Sequence, residues 1–432
     1  MAQHKEIFGD LARWQSWLEV EAALAEVQAD LQVIPSWAAA QIASKANINN
    51  FDEEKISAEI AKTGSPVFAL VSILADICGA AGNYVHLGAT TQNIIETGRL
   101  INLKKYHKLL LKACSEVLKN LKALAIEHAD TLMVGRTQLS HALPITFGFK
   151  VAGWINDFIL LIDRISDTEK RLFLLRFGGA VGAFQSFGTK GPKISEALAQ
   201  KLKMEVPLVQ GRSSPEGHLE YILNLCSLGQ LVSKIGNELY FLHAEGINEL
   251  SEKQALDTVG SSTMPHKVNS KRLLNLRSDS SLLVQKMAAV MVFTNPLNEG
   301  DASSNNEITE MFKSTCPCAI DLLYNLQTVF DCLKINSVNM EKNVRSTQYF
   351  TATEALQMEL AAHVGKLKAH SIIHTLSTKS NRNPDLFLEL VGREEEIQRH
   401  ISNQRLKHIL RAENNLGDSS RIANQAAREA SA

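Results

Sequence analysis

Side chains that could bind a carboxylate and move a proton are concentrated in one ten-residue stretch, Gly260–Asn269. It reads Gly-Ser-Ser-Thr-Met-Pro-His-Lys-Val-Asn, with Lys267 six residues after Ser261 and Asn269 two residues further on. Hydroxyls, an ammonium group and an amide together suit a site that handles negative charge. A serine-rich turn that caps the next helix has the same local composition, so the stretch alone leaves both interpretations open.

Three other polar segments interrupt the helical pattern of the chain: His86–Asn93, Arg136–His141 and Asn298–Asn305. Like the first stretch, each lies at the end of a long helix-like segment. Such ends can converge in a helix bundle, and in an oligomer they can come from different subunits. We therefore expect the four segments to form one site that holds a carboxylate and transfers a proton.

The stretch Gly260–Asn269 resembles, over its whole length, the signature G-S-S-x-M-P-x-K-x-N of the fumarase/aspartase superfamily. Ala12–Leu24 is similar to the opening helix of the branch that contains adenylosuccinate lyase and 3-carboxy-cis,cis-muconate cycloisomerase. The family has two other active-site regions, and this chain has a segment similar to each. One is His86–Gln92, and the other is Gly135–Thr137 together with His141. Glu413–Gly417 resembles a C-terminal element of the cycloisomerase group. The resemblance of the chain to this group is closer than its resemblance to the adenylosuccinate lyases.

This resemblance implies a lyase that abstracts a proton beside a carboxylate and eliminates a leaving group from a succinyl-type or polycarboxylate substrate, often releasing fumarate. Two alternatives stay open: a lactonising 3-carboxymuconate-type cycloisomerase, and a catalytically silent structural relative. By match to the signature, Ser261 would be the general base, and Lys267 and Asn269 would stabilise the carboxylate. The implied catalytic residues are Ser261, Lys267, Asn269 and His141, and the implied substrate-binding residues are His86, Thr90, Thr91, Gln92, Thr137, Gln138, Ser262 and Met264.

The chain departs from the family pattern at several charged positions. Adenylosuccinate lyases carry a histidine where this chain has Gln138, and a neutral amide cannot protonate a leaving group. The cycloisomerases also lack that histidine but keep one where His141 stands. Ser214–His218 replaces an Arg-Asp-Arg element, and Glu299–Asp301 has glycine where the family has arginine. We therefore expect anion recognition to be reduced or reassigned.

Helical periodicity runs through most of the chain, and no segment shows convincing period-two alternation. We predict an all-α fold with three helical domains: residues 1–102, a central long-helix bundle over 103–345, and residues 346–432. The resemblance implies that this bundle forms the core of a homotetramer with shared active sites. The bundle is indicated by an apolar stripe at alternating four- and three-residue steps. The stripe consists of Tyr221, Leu225, Leu228, Val232, Ile235, Leu239 and Leu242.

Composition narrows the class of protein. The 432 residues include 45 basic and 46 acidic side chains, a balance that argues against a nucleic-acid partner. Acidic residues interrupt the longest apolar runs and the first ten residues lack an apolar signal core, so we expect a cytoplasmic protein without a membrane partner.

The pair Cys316 and Cys318 has no second pair to complete a metal site, and no metal or cofactor is expected. His218 and His243 are interpreted as structural or surface residues.

Overall fold

A computed structural model describes residues 3–253, 260–264, 266–293 and 295–430, and these residues are mainly α-helical, as predicted. The helices are α1 (Gln3–Glu6), α2 (Asp10–Asp30), α3 (Ser36–Lys45), α4 (Glu53–Thr63), α5 (Pro66–Ile77), α6 (Thr91–Glu127), α7 (Phe147–Asp167), α8 (Glu169–Leu172), α9 (Gly191–Leu202), α10 (Glu216–His243), α11 (Lys271–Phe293), α12 (Ala302–Cys332), α13 (Ser337–Arg345), α14 (Thr353–Val364), α15 (Lys366–Lys379), α16 (Pro384–Arg393), α17 (Glu395–His400), α18 (Asn403–Ile409) and α19 (Ser419–Glu429). The strands are β1 (Leu132–Thr137), β2 (Ser140–Thr146), β3 (Leu250–Glu252) and β4 (Leu333–Ile335).

The predicted apolar stripe lies in α10, and its burial is confirmed. Each of its seven side chains is at most 1% exposed. Full burial of one large apolar side chain contributes about 1.5–3 kcal/mol, so this face is a main source of stability for the long helix. In the part of the chain that the structure describes, no helix combines the length and apolarity needed to cross a membrane.

The chain divides into two compact units, each made of three segments. Unit 1 contains Met1–Ala113, Leu161–Gln230 and Asp279–Leu323; unit 2 contains Cys114–Leu160, Leu231–Ser278 and Tyr324–Ala432. Helices α6, α7, α10, α11 and α12 each contribute residues to both units. The division into three contiguous domains stays a prediction.

Buried polar contacts join the helices of unit 1. The Tyr106 hydroxyl of α6 donates to the carbonyl oxygen of Cys316 in α12 at 2.8 Å. The next residue, His107, lies 3.0 Å from the Tyr221 hydroxyl of α10 through Nδ1 and 2.8 Å from Glu169 Oε1 of α8 through Nε2. These contacts fix α6 against three other helices.

Unit 2 contains a β-hairpin where the sequence predicted only a polar interruption, Arg136–His141, without strands. Strands β1 and β2 pair antiparallel, with Thr137 opposite Ser140 and Arg136 opposite His141. The two-residue turn between them has φ of +51° at Gln138 and +63° at Leu139. Such turns usually carry Asn-Gly or Asp-Gly, so Gln-Leu gave no turn signal in the sequence.

Candidate active site

The signature stretch lies in unit 2, between β3 and α11, and folds back on itself. The Asn269 side-chain amide donates to the carbonyl oxygen of Gly260 at 2.8 Å, and the Lys267 backbone N–H donates to the Met264 carbonyl at 2.9 Å. A Cβ at position 260 would lie 2.3 Å from the Lys267 carbonyl oxygen, so only glycine allows this approach. Pro265 of the signature lies outside the described residues.

One buried carboxylate links the end of β3 with the start of α11, the elements on either side of the signature stretch. Glu252, the last residue of β3, accepts hydrogen bonds from the Ser270 hydroxyl and, at 3.1 Å, from the backbone N–H of Leu273. Ser270 precedes α11 and Leu273 lies in its first turn. These hydrogen bonds therefore hold the end of β3 and the first turn of α11 at a fixed distance from each other.

Ser261 stands where backbone donors favour negative charge on its oxygen. Its Oγ accepts hydrogen bonds from the N–H groups of Met264 at 3.1 Å and Thr263 at 3.4 Å. Hydrogen bonds to the charged form of a group stabilise that form. These two donors would stabilise the ionised hydroxyl, which is the form in which Ser261 can accept a proton from a substrate carbon.

A cleft of about 640 Å³ opens beside the signature loop within unit 2. Its walls include the predicted residues Met264, Lys267 and Asn269, together with His243 from the end of α10. The Lys267 ammonium forms no ion pair with a described residue, so its charge is open to a bound carboxylate. His243 Nδ1 is buried and has no hydrogen-bond partner among the described residues. The interpretation of His243 as structural or surface overlooked its place in this cleft.

The hairpin carries three more of the predicted residues. Thr137 and Gln138 are exposed near its turn, and His141 is half-buried on β2. His141 Nδ1 lies 2.9 Å from the Thr347 hydroxyl oxygen. Burial lowers the pKa of His141, with Arg136 acting in the same direction and Glu249 opposing it. Burial of His141 thus favours the neutral form of its imidazole.

Beside His141, a buried ion pair fixes the hairpin to the segment that precedes β3. Arg136 donates to both carboxylate oxygens of Glu249, at 2.9 and 2.6 Å. Glu249 is fully buried and also accepts a 2.8 Å hydrogen bond from the Asn343 amide. Two parallel bonds of this kind constrain orientation as well as distance.

Changing Glu249 to Gln should destabilise the protein by about 3–5 kcal/mol, because it leaves the nearly buried Arg136 cation unpaired. Glu116→Gln is the matched control, since Glu116 pairs with Lys119 on the surface and such pairs contribute about 0–1 kcal/mol. Urea unfolding followed by circular dichroism would measure both losses. Equal, small losses in the two variants would contradict the structural role of the Arg136–Glu249 pair.

The remaining predicted residues lie in unit 1. His86 has a left-handed backbone (φ +61°), and its Nδ1 lies 2.6 Å from Glu21 Oε1. Its backbone N–H donates to the other oxygen of Glu21 at 3.1 Å. Thr90 precedes α6, and Thr91 and Gln92 form its first two residues. Glu21, buried in α2, is a partner that the sequence reasoning missed although it belongs to the recognised opening helix.

The predicted site residues thus fall into three groups. Unit 2 holds the signature-loop group and the hairpin group, and unit 1 holds the group around the start of α6. Their assembly into one active site stays a prediction. The signature-loop group comprises Ser261, Ser262, Met264, Lys267 and Asn269, the hairpin group Thr137, Gln138 and His141, and the unit 1 group His86, Thr90, Thr91 and Gln92.

A mainly helical chain that carries this complete signature is an enzyme of the fumarase/aspartase superfamily. The chain belongs to the lyase family, whose family model matches residues 2–281.

Similar proteins include lyases and a cycloisomerase. N-acetyl-S-(2-succino)cysteine lyase of Enterococcus italicus is 31% identical over 90% of this chain and 85% of the relative. Adenylosuccinate lyase of Methanocaldococcus jannaschii is 27% identical over 98% of this chain and 92% of the relative. The crystal structure of 3-carboxy-cis,cis-muconate lactonizing enzyme from Pseudomonas putida is 26% identical with a TM-score of 0.87, covering 100% of this chain and 97% of that one.

Proposed function

We propose that this enzyme cleaves an S-(2-succino) thioether, in which sulfur is bonded to C2 of succinate, into fumarate and a thiol, which makes it a carbon–sulfur lyase. Ser261 takes a proton from the CH₂ group beside one carboxylate of the 2-succino group. The electron pair left on carbon is delocalised into that carboxylate as an aci-carboxylate. It then forms the double bond of fumarate while the C–S bond breaks and its electron pair leaves with sulfur as a thiolate.

The observation that carries this choice of leaving group is Gln138. An amine leaves carbon only when it gains a proton, and Gln138 cannot supply one where adenylosuccinate lyases have a histidine. A thiol has a pKa of about 8.5, so a thiolate can depart without an acid. The likeness to N-acetyl-S-(2-succino)cysteine lyase supports the same class of substrate.

The signature loop supports the first step of this reaction. Backbone donors to Ser261 Oγ favour its oxyanion, and the Lys267 ammonium lies in the wall of the adjacent cleft. A cation near the reacting carboxylate stabilises the charge that grows there in the transition state. The complete signature also argues against a catalytically silent relative.

A second candidate is a lactonising cycloisomerase. Its leaving group in the elimination direction is a carboxylate, which is even less basic than a thiolate and likewise needs no strong acid. The likeness to the Pseudomonas putida lactonizing enzyme and the presence of His141 favour this candidate.

A substrate panel separates these activities. We expect kcat/KM for an S-(2-succino)cysteine derivative to exceed that for the matched N-(2-succino) amine by about 10²-fold or more, the usual contribution of a general acid. Mass spectrometry would quantify fumarate, the released thiol or amine, and lactone from 3-carboxymuconate. Faster cleavage of the amine would refute the leaving-group argument. Lactone formation without thioether cleavage would establish the cycloisomerase.

We infer further that the enzyme acts in the cytoplasm as a homotetramer with shared active sites. The superfamily resemblance supports this inference. Sedimentation analysis would test the assembly. Complementation between a Ser261→Ala chain and a His86→Ala chain would test site sharing, because mixed oligomers would regain activity.

A further inference from the structure

Three arginines from distant parts of the sequence converge on one small cavity within unit 1. Arg99 lies on α6, Arg176 follows α8, and Arg212 precedes α10. The cavity has a volume of about 20 Å³, and its lining also includes His218 of α10 and Asn305 of α12. Converging guanidinium groups are the usual means by which proteins bind planar or tetrahedral oxyanions.

These arginines lack the carboxylate partners that buried arginines normally have. Among the described residues, no carboxylate oxygen lies within 4.0 Å of a guanidinium nitrogen of Arg99, Arg176 or Arg212. Arg136 of unit 2 shows the contrast, since both of its terminal nitrogens are paired with Glu249. The three guanidinium groups are therefore positioned without an internal counter-ion in contact.

Several buried nitrogen atoms in this cavity also lack hydrogen bonds. Arg99 Nε, Arg212 Nε and His218 Nε2 have no partner among the described residues, and Arg99 and His218 are only 8% and 5% exposed. Leaving one such group unsatisfied costs about 1–3 kcal/mol. A ligand that accepts hydrogen bonds would remove this cost. An anionic ligand would be favoured over a neutral one because the neighbouring groups are cationic.

The carboxylates nearest the cavity are engaged elsewhere. Asp301 accepts hydrogen bonds from the backbone N–H groups of Ser303 at 2.9 Å and Leu297 at 3.1 Å. Glu96 accepts a 3.0 Å hydrogen bond from the Gln92 amide, and burial raises the pKa of Glu96. Glu96, together with Glu216 at the start of α10, acts on these arginines through space, but neither carboxylate lies within 4.0 Å of their guanidinium nitrogens.

A glycine makes room for one of the arginines. A Cβ at position 300 would lie 2.3 Å from Arg212 Nη2 and 2.7 Å from its Cζ. Any other residue at that position would displace the guanidinium group. Gly300 and Arg212 thus form a matched pair that places the charge at this cavity.

We propose that Arg99, Arg176 and Arg212, with His218 Nε2, form a binding site for one compact oxyanion, a carboxylate or phosphate group. The group is either part of the substrate or a separate small anion. The proposal does not require the carbon–sulfur lyase activity proposed above, since binding can be measured without turnover.

Isothermal titration calorimetry at constant ionic strength would test the site with inorganic phosphate and with succinate. We expect saturable binding of at least one anion to the wild-type protein. Arg212→Gln should weaken this binding at least tenfold, and Gly300→Ala should weaken it because the added methyl group displaces Arg212. Arg428→Gln, which removes an exposed arginine of α19, should bind like wild type.

Further measurements distinguish anion binding at this cavity from the proposed lyase reaction, and they identify the source of the anion. Ser261→Ala protein should bind the anion as wild type does, whatever its activity. Competition between the anion and the substrate, with a raised KM in Arg212→Gln, would assign the site to a substrate group. Binding without competition would assign it to a separate anion. Absence of saturation by both anions, or unchanged binding in the folded Arg212→Gln variant, would overturn the proposal.

Discussion

Replacing Ser261 with alanine is expected to lower kcat by about 10²–10⁴-fold, the range that a positioned general base contributes. The substitution removes the oxygen that accepts the backbone hydrogen bonds of Met264 and Thr263. It leaves intact the hydrogen bond between Asn269 and Gly260, which closes the loop. The loss should therefore be in the chemical step and not in folding.

Steady-state kinetics on the best substrate of the panel, with sedimentation of the same preparation, would measure this loss. Ser371→Ala is the matched control, because it removes an exposed hydroxyl from α15. Full activity in Ser261→Ala would show that another group is the base. Loss of assembly in that variant would assign Ser261 a structural role instead.

Replacing Lys267 with methionine is expected to lower kcat/KM by about 10²–10³-fold, comparable to the loss of one preorganised charge-stabilising group. Methionine keeps much of the length and apolar stem of lysine but removes the charge. Because the carboxylate carries charge in the ground state and more in the aci-carboxylate, we expect KM to rise and kcat to fall.

Lys271→Met provides the control for Lys267→Met, since Lys271 is exposed at the start of α11 and does not line the cleft. A rise in KM with an unchanged kcat would show that Lys267 acts in substrate binding and not in the chemical step. Unchanged kinetic constants would exclude it from the site.

Regular patterns in the sequence predicted burial well. The apolar stripe from Tyr221 to Leu242 predicted the buried face of α10, because a helix with apolar residues every three or four positions can bury only one side. The hairpin was missed because Gln138 and Leu139 adopt positive φ angles without the glycine or asparagine that usually marks such a turn.

The site was predictable where its residues are contiguous. The signature gave Ser261, Lys267 and Asn269 directly, whereas no local pattern indicates the pairing of His86 with Glu21, 65 residues earlier. The arginine-lined cavity was missed for the same reason. Its three arginines come from distant segments, and no local pattern links Arg99 inside α6 with Arg176 and Arg212 in connecting segments.

The hydrogen bonds of Glu252 to Ser270 and Leu273 link the end of β3 to the start of α11 without using Ser261, Lys267 or Asn269. The residues that anchor the strand to the helix are therefore different from those assigned to catalysis. A relative could lose its activity by a substitution at Ser261 or Lys267 and still keep this anchor. Loss of function and loss of fold are thus separable in this part of the chain.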